Sequence, residues 1–195
     1  IGHTGASYEQ AREGIAAGAR HATHLFNRMT PLTHRDPGVV GAVLESDEVA
    51  AELISDGVHV HPAAMRAAIG AMGADRVMAI TDGTAGSGLP AGSRASLGGR
   101  PITVGEVARL DDGTLAGSVL TMAGAFARLV TRVGLSPVTA ARLTSTTPAR
   151  QLGLLGHGVI APGAVADLVV LDRSYQVAQT WVAGELAWSR TRLSE

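Results

Sequence analysis

The 195-residue chain contains no cysteine, which excludes disulfides, thiolate zinc clusters and a cysteine nucleophile together. Any metal it binds must therefore sit on histidine and carboxylate ligands. Long apolar runs are also missing. Gly, Arg or Asp interrupts each one well before the roughly 18 residues a membrane-spanning helix needs, and no signal-peptide pattern is present. Nor is there an excess of one charge: 16 basic residues face 17 acidic ones, for a formal net charge of −1. No global field then favours nucleic acid or an anionic membrane, and an anionic ligand must be gripped by local groups. We expect a cytoplasmic protein with neither kind of partner.

What remains is an ordinary globular composition, 46% apolar and 17% charged, sufficient for a sizeable core. Ser7 and Gln10 have capping-box spacing, and Tyr8, Ala11, Ile15 and Ala19 continue with a helical period, predicting a helix over residues 7–19. Residues 20–26 read as the next strand, Pro37 as the start of a short helix, and residues 49–55 as a third strand. Pro62 opens a helix with Met65, Ile69 and Met72 on one face, and residues 76–81 form a fourth strand. This alternation predicts parallel strands joined by right-handed crossovers, with the loops after each strand gathered on one rim.

Beyond it, residues 84–96 are rich in Gly, Ala and Ser and read as a mobile loop. Gly98-Gly99 and Asp111-Asp112-Gly113 mark turns in a β-hairpin insertion at about 93–117. Helices follow near 119–133 and 137–152, with Pro148 expected to kink or restart the second. Residues 166–172 and 180–187 read as two strands of a small C-terminal β appendage. The chain opens at Ile1, and Gly2-His3 already resembles the end of a strand. A whole barrel takes about 250 residues, so we expect half of one: residues 1–156 as a partial barrel and 157–195 as the appendage.

Polar residues close successive apolar runs: His3 in IGHTGAS, His24 in HATHLFN, His59 in ISDGVHVH and Asp82 in AITDGTA. Their spacings of 21, 35 and 23 residues each fit one strand, one helix and their loops. A lone histidine at a strand end is more often a hydrogen-bonded structural group than a ligand. Four groups at equivalent positions instead suggest a metal-dependent hydrolase, because imidazoles converging on a rim can bind Zn²⁺. Asp82 could take a proton from metal-activated water and return it to a leaving amine, although Asp before Gly also suits a simple turn. His21 should face away from His24, His61 should cap the helix after it, and His157 should lie exposed in a turn. Arg35 offers a fork suited to phosphate, and Gly117-Ser118 could present N–H groups ahead of a helix beginning near Leu120.

The segments GHTGAS, ATHLFNRM, HRDPG, SDGVHV, ITDGTA and DGTLAGSVLTM, in that order, resemble the N-acetylglucosamine-6-phosphate deacetylase family of the amidohydrolase superfamily. The ending GVIAPGAVADLVVLD resembles a strand pair found widely in that superfamily. The resemblance implies an α/β fold, the second half of a (β/α)8 barrel with the hairpin insertion and a small β appendage. It implies a divalent metal, zinc foremost, on His3 and His24, and Asp82 as the acid and base that drives water onto an acetamide. Asn27 and Arg28, chiefly through their backbone, and Arg35 would hold a sugar phosphate. Asp56, Gly57, Val58 and His59 would lie beside the sugar, and Leu115, Ala116 and Gly117 along its other side. A homodimer is implied, with the phosphate site partly shared. Position 28 departs from the family pattern, carrying Arg where a small residue is usual. The family's glutamate ligand and a carbonyl-polarising histidine would lie upstream, so the chain alone is expected to be inactive. Two rivals stand beside this reading: another amidohydrolase, such as a cyclic amidase or deaminase, and a non-catalytic chain that self-associates through open barrel edges.

Overall fold

The computed structural model describes residues 1–190, so the last five residues of the expected appendage lie outside the described residues. The first helix, α1 (Tyr8–Ala16), is fixed by the capping box foreseen in the sequence. Ser7 Oγ accepts from Gln10 N–H, while the Gln10 side chain accepts from Ser7 N–H at 2.9 Å. Ala11 and Ile15 are its buried face. The helix lies against α2 (Gly38–Glu45), where Tyr8 hydroxyl donates to the Glu45 carboxylate. α2 is apolar nearly all round and correspondingly buried, with Val39, Val40 and Val43 fully out of solvent.

Three parallel strands lie against these helices, β1 (His21–Ala22), β2 (Ala50–Ile54) and β3 (Val77–Ile80), in that order. The register pairs His21 with Ala50, Ala51 with Val77 and Ile54 with Ile80. Residues on both faces of β2 and β3 are buried, as in a parallel sheet covered on each side. The helix α3 (Pro62–Met72) joins them and buries Met65, Ile69 and Met72. His61 caps it, its Nδ1 accepting from Ala63 N–H at 3.2 Å. These side chains share one core with Leu25, Leu53, Leu129 and Leu143.

A second sheet is antiparallel, β4 (Arg94–Leu97), β5 (Arg100–Val104) and β6 (Ala108–Leu110). Gly98 and Gly99, both with positive φ, make the two-residue turn between β4 and β5. Leu115 bridges back to Arg109 and Ala116 N–H donates to Ala108 C=O at 3.0 Å, so residues 115–118 leave this sheet and run to the end of β3. α4 (Met122–Arg128) then widens into a π-helical turn at Leu129–Val133. α5 (Pro137–Ala141), a second π-helical turn at Arg142–Thr146 and α6 (Thr147–Gln151) form one helical run. The widening directly precedes Pro148, which lacks the N–H an α-turn requires. This run clamps the approach to β3: Thr147 Oγ1 donates to Ala74 C=O at 2.7 Å, and Arg142 and Arg150 both reach Asp75. A third sheet, β7 (Leu168–Leu171), β8 (Val177–Val182) and β9 (Glu185–Ser189), closes the described chain. Among the described residues, no helix is long and apolar enough to cross a membrane.

Three expectations need correction. The strand expected over 20–26 shrinks to two residues because His24, Phe26 and Arg28 adopt positive φ (32°, 79° and 54°), which breaks the pleat. The strand expected over 180–187 is a hairpin, turned at Ala183 and Gly184 with φ of 50° and 85°. That turn is pinned where Ala183 N–H donates to Asp167 Oδ1 and Gly184 N–H to Ala166 C=O. The helix expected near 119 begins at Met122, capped by Thr121.

Candidate active site

The left-handed backbone concentrates at one place. Of the non-glycine residues with positive φ, His3 (46°), His24 (32°), Arg28 (54°) and Asp82 (48°) all line one cleft of about 630 Å³. Each such conformation costs of order 1–3 kcal/mol and persists only where the surroundings over-determine it. Here they do. Thr4 N–H donates to Arg28 C=O at 3.0 Å, Leu25 N–H to Glu52 C=O at 2.8 Å, and Ser118 N–H to Asp82 C=O at 2.8 Å.

His3 and His24, 21 residues apart, bring their Nε2 atoms to 2.8 Å, with ring centroids 4.7 Å apart. His24 is buried, and its Nδ1 has no hydrogen-bond partner. Two nitrogens aimed at one point, one on a ring with an orphaned buried atom, fit the imidazole ligands of a divalent ion. Zinc sites ordinarily take three or four protein ligands. Among the described residues no third histidine, cysteine or carboxylate joins the pair to make such a group.

Asp82 follows β3 and presents its carboxylate to the cleft. Its backbone is held by residues 117–118, where Ser118, fully buried, donates its hydroxyl to Thr81 C=O and its N–H to Asp82 C=O. The Gly117-Ser118 pair therefore braces Asp82 rather than offering both N–H groups to a ligand. Gly117 must be glycine here: its φ is 66°, and a Cβ would meet Thr84 Cγ2 at 2.5 Å and Asp82 C=O at 2.9 Å.

His59 lines the cleft through a buried relay. Asp56, at 5% exposure, accepts from Val58 N–H at 2.8 Å, His59 N–H at 2.9 Å and His59 Nδ1 at 2.6 Å. Burial pushes the Asp56 carboxyl up, but the hydrogen bonds from the His59 ring and the two N–H groups outweigh it and hold the group below the usual carboxylate range. The Asp56 hydrogen bond raises the His59 imidazole above its ordinary value; burial opposes this and the charges of Asp56 and Asp82 add to it.

The cleft thus brings together His3, His24, Asn27, Arg28, His59, Asp82, Leu115, Ala116 and Gly117. Asp56, Gly57, Val58 and Arg35 are not part of its lining; Asp56 is buried behind His59, Val58 is 41% exposed, and Arg35 stands on an exposed loop. Asn27 turns back on the preceding residues: its N–H donates to His24 C=O at 3.0 Å and its side-chain amide to the His24 and Leu25 carbonyls. Thr84, Thr114 and Leu97 also face the cleft, unforeseen from sequence because their placement depends on how the second sheet folds over β3. His21 bonds Gln151 at 3.1 Å, a structural role, and His157 is half-buried, its Nδ1 3.1 Å from Leu155 C=O.

The model of the amidohydrolase family matches residues 1–187. The N-acetylgalactosamine-6-phosphate deacetylase of Escherichia coli O157:H7 is 41% identical over 189 residues, 96% of this chain and 50% of that relative. A putative N-acetylgalactosamine-6-phosphate deacetylase of Escherichia coli K12 is 42% identical over 166 residues, 84% of this chain and 98% of that protein. Among solved structures, an N-acetyl-D-glucosamine-6-phosphate deacetylase mutant from Mycobacterium smegmatis, in complex with N-acetyl-D-glucosamine-6-phosphate, is 42% identical with a TM-score of 0.89. That match covers 95% of this chain and 50% of the other. The chain spans about half the length of most curated relatives it matches. With the family model covering nearly all of it, the chain belongs to the amidohydrolase family.

Proposed function

We propose that the chain is the second half of a (β/α)8 barrel, with a hairpin insertion at about 93–117 and a β appendage from 157, in an enzyme that deacetylates N-acetylglucosamine 6-phosphate. The products are glucosamine 6-phosphate and acetate. One observation carries the reading: His3, His24, His59 and Asp82, scattered over 80 residues of sequence, line a single cleft. The reading includes a cytoplasmic homodimer.

His3 and His24 would hold a divalent ion, zinc being suited to imidazole ligands, which when bound supplies polarisation of the acetyl carbonyl and lowers the pKa of water to about 7. Further ligands would come from the part of the relatives' length that this chain does not span. Asp82 would accept the proton of the attacking water. As the C–N bond breaks it would hand that proton to the departing amine, so the carboxylate is restored. Its left-handed backbone, braced by Ser118, keeps the carboxylate aimed at the cleft. His59, oriented by Asp56, would bond a sugar hydroxyl through Nε2, and Leu115, Ala116 and Gly117 would form the opposite wall. Asp56 fixes the His59 ring, and Gly57 and Val58 would shape the turn between them. Asn27 and Arg28 would lie at the phosphate, with Arg35 approaching it from the open side.

The 41% identity to a deacetylase of the galactosamine epimer keeps that epimer as a second substrate reading. Acetate release by the full polypeptide, supplied with Zn²⁺, decides between them. Turnover of N-acetylglucosamine 6-phosphate well above that of its galactosamine epimer supports the proposal. Release from neither phosphosugar would sink it.

A further inference from the structure

We propose that the antiparallel sheet β4–β6 is a lid, which tilts about residues 115–118 onto the turn at Val58 and shuts the cleft over a bound ligand. This rests on the cleft being the phosphosugar site and goes further: it makes Val58 a landing point for the lid rather than a contact of the sugar. The sheet is rigid in itself. Ile102, Ala108 and Ala116 form a small core of their own, separate from the one that the parallel strands and their helices share. At its surface Arg94 pairs with Asp111 at 2.8 Å and Arg100 with Asp112 at 3.2 Å, tying β4 and β5 to the turn that follows β6.

It is tethered along one edge. Beyond β6 the chain adds residues 115–116 to the sheet and then passes at once to Ser118, which is fully buried and bonded to Thr81 and Asp82. The incoming connection meets the same point, where Thr84 N–H and Ser87 Oγ both donate to Ser118 C=O at 3.2 Å. The opposite edge, β4, pairs with no further strand among the described residues. Between the β5–β6 end of the sheet and the turn at Val58 lies a gap of about 330 Å³, lined by Val58 on one side and by residues 103–107 and Arg109 on the other. Leu97, Thr114 and Leu115 face the cleft from the sheet side, so a ligand lying there touches the lid and holds it down. Val58 and Leu97, each 41% exposed, are apolar surface that closure covers. A hydrolase gains from such a motion because expelling bulk water strengthens the polar contacts made inside the site.

The chain's lack of cysteine makes the gap simple to probe. In the full polypeptide, Val58→Cys combined with Glu106→Cys places one thiol on each side of it, both at exposed positions; each single variant is the control for thiols elsewhere. A disulfide needs its two Cα atoms within about 7 Å, so its formation under a mild oxidant reports closure. A closed state held by at most about 10% of free molecules, and by most liganded ones, gives disulfide formation at least about tenfold faster with glucosamine 6-phosphate than without it. The oxidised protein should release no acetate, and dithiothreitol should restore the rate of the reduced variant. In the unaltered parent, hydrogen exchange of residues 57–60 and 103–109 should slow when glucosamine 6-phosphate is added. Equal rates of disulfide formation with and without it, no disulfide at all, or full turnover by the oxidised protein would each overturn the lid while leaving the phosphosugar reading intact. So would unchanged hydrogen exchange. If calorimetry shows that the parent does not bind glucosamine 6-phosphate, the phosphosugar reading itself fails and the lid falls with it.

Discussion

Replacing Gly117 with alanine tests whether the crossing of residues 115–118 over the end of β3 is what holds Asp82. Two costs add. An alanine at φ 66° is strained by roughly 1–2 kcal/mol. Its Cβ would also stand 2.5 Å from Thr84 Cγ2 and 2.9 Å from Asp82 C=O, and overpacking of that kind typically costs about 1–3 kcal/mol. The sum, about 2–5 kcal/mol, is relieved most readily by shifting the chain at Asp82, since the other neighbour is attached to the same loop. Gly134→Ala is the control. Its φ is 83°, with nothing within 4 Å of the added carbon, so it carries strain without a clash. At about 2–4 °C per kcal/mol for a chain of this size, Gly134→Ala should melt a few degrees below the parent, and Gly117→Ala several degrees lower again. Gly117→Ala should also lose turnover out of proportion to its melting temperature. Equal melting temperatures for the two variants, with Gly117→Ala fully active, would refute the bracing role.

The buried Asp56–His59 pair predicts a pH signature. Asp56 has a lowered pKa, so its contribution is present above its unfolded value of about 3.9 and is lost as pH falls through the folded value. His59 is raised, so its contribution is full below about 6.5 and is lost as pH rises through the folded value. The stability gap between the parent and His59→Gln, measured by urea unfolding, should therefore be widest between about pH 4 and 6.5 and shrink on either side; a pH-independent gap contradicts it. Asp56→Ala strips the ring and two backbone N–H groups of their acceptor and should cost about 3–5 kcal/mol by the same measurement. Ser7→Ala should cost only about 1 kcal/mol, because it removes one helix cap at the surface.

The alternation of strands and helices was readable because its punctuation is local. The Ser7–Gln10 box, Pro62 at a helix start and the Gly98-Gly99 turn act over four residues or fewer, so they mean in the fold what they mean in the chain. The positions of His3, His24, His59 and Asp82 on one rim were likewise legible from strand-end spacing. What escaped depends on distant contacts. Residues 20–26 have the composition of a strand, yet the hydrogen bond from Leu25 N–H to Glu52 C=O and the left-handed turns at His24 and Phe26 bend their second half into the cleft wall. Ala183 carries no turn signal of its own; Asp167 and Ala166 impose one through hydrogen bonds from 16 and 18 residues away.

In the proposed reaction Asp82 moves the proton while His3 and His24 hold the ion. Asp82→Asn tests it with little disturbance, since Asn suits the 48° φ at this position and keeps the shape of the side chain. Metal content by mass spectrometry and acetate release should be measured on the same preparation of the full polypeptide. Metal content should be unchanged and turnover lowered by at least about a hundredfold, the lower end of what a positioned acid–base group contributes. Unimpaired turnover in Asp82→Asn would contradict it.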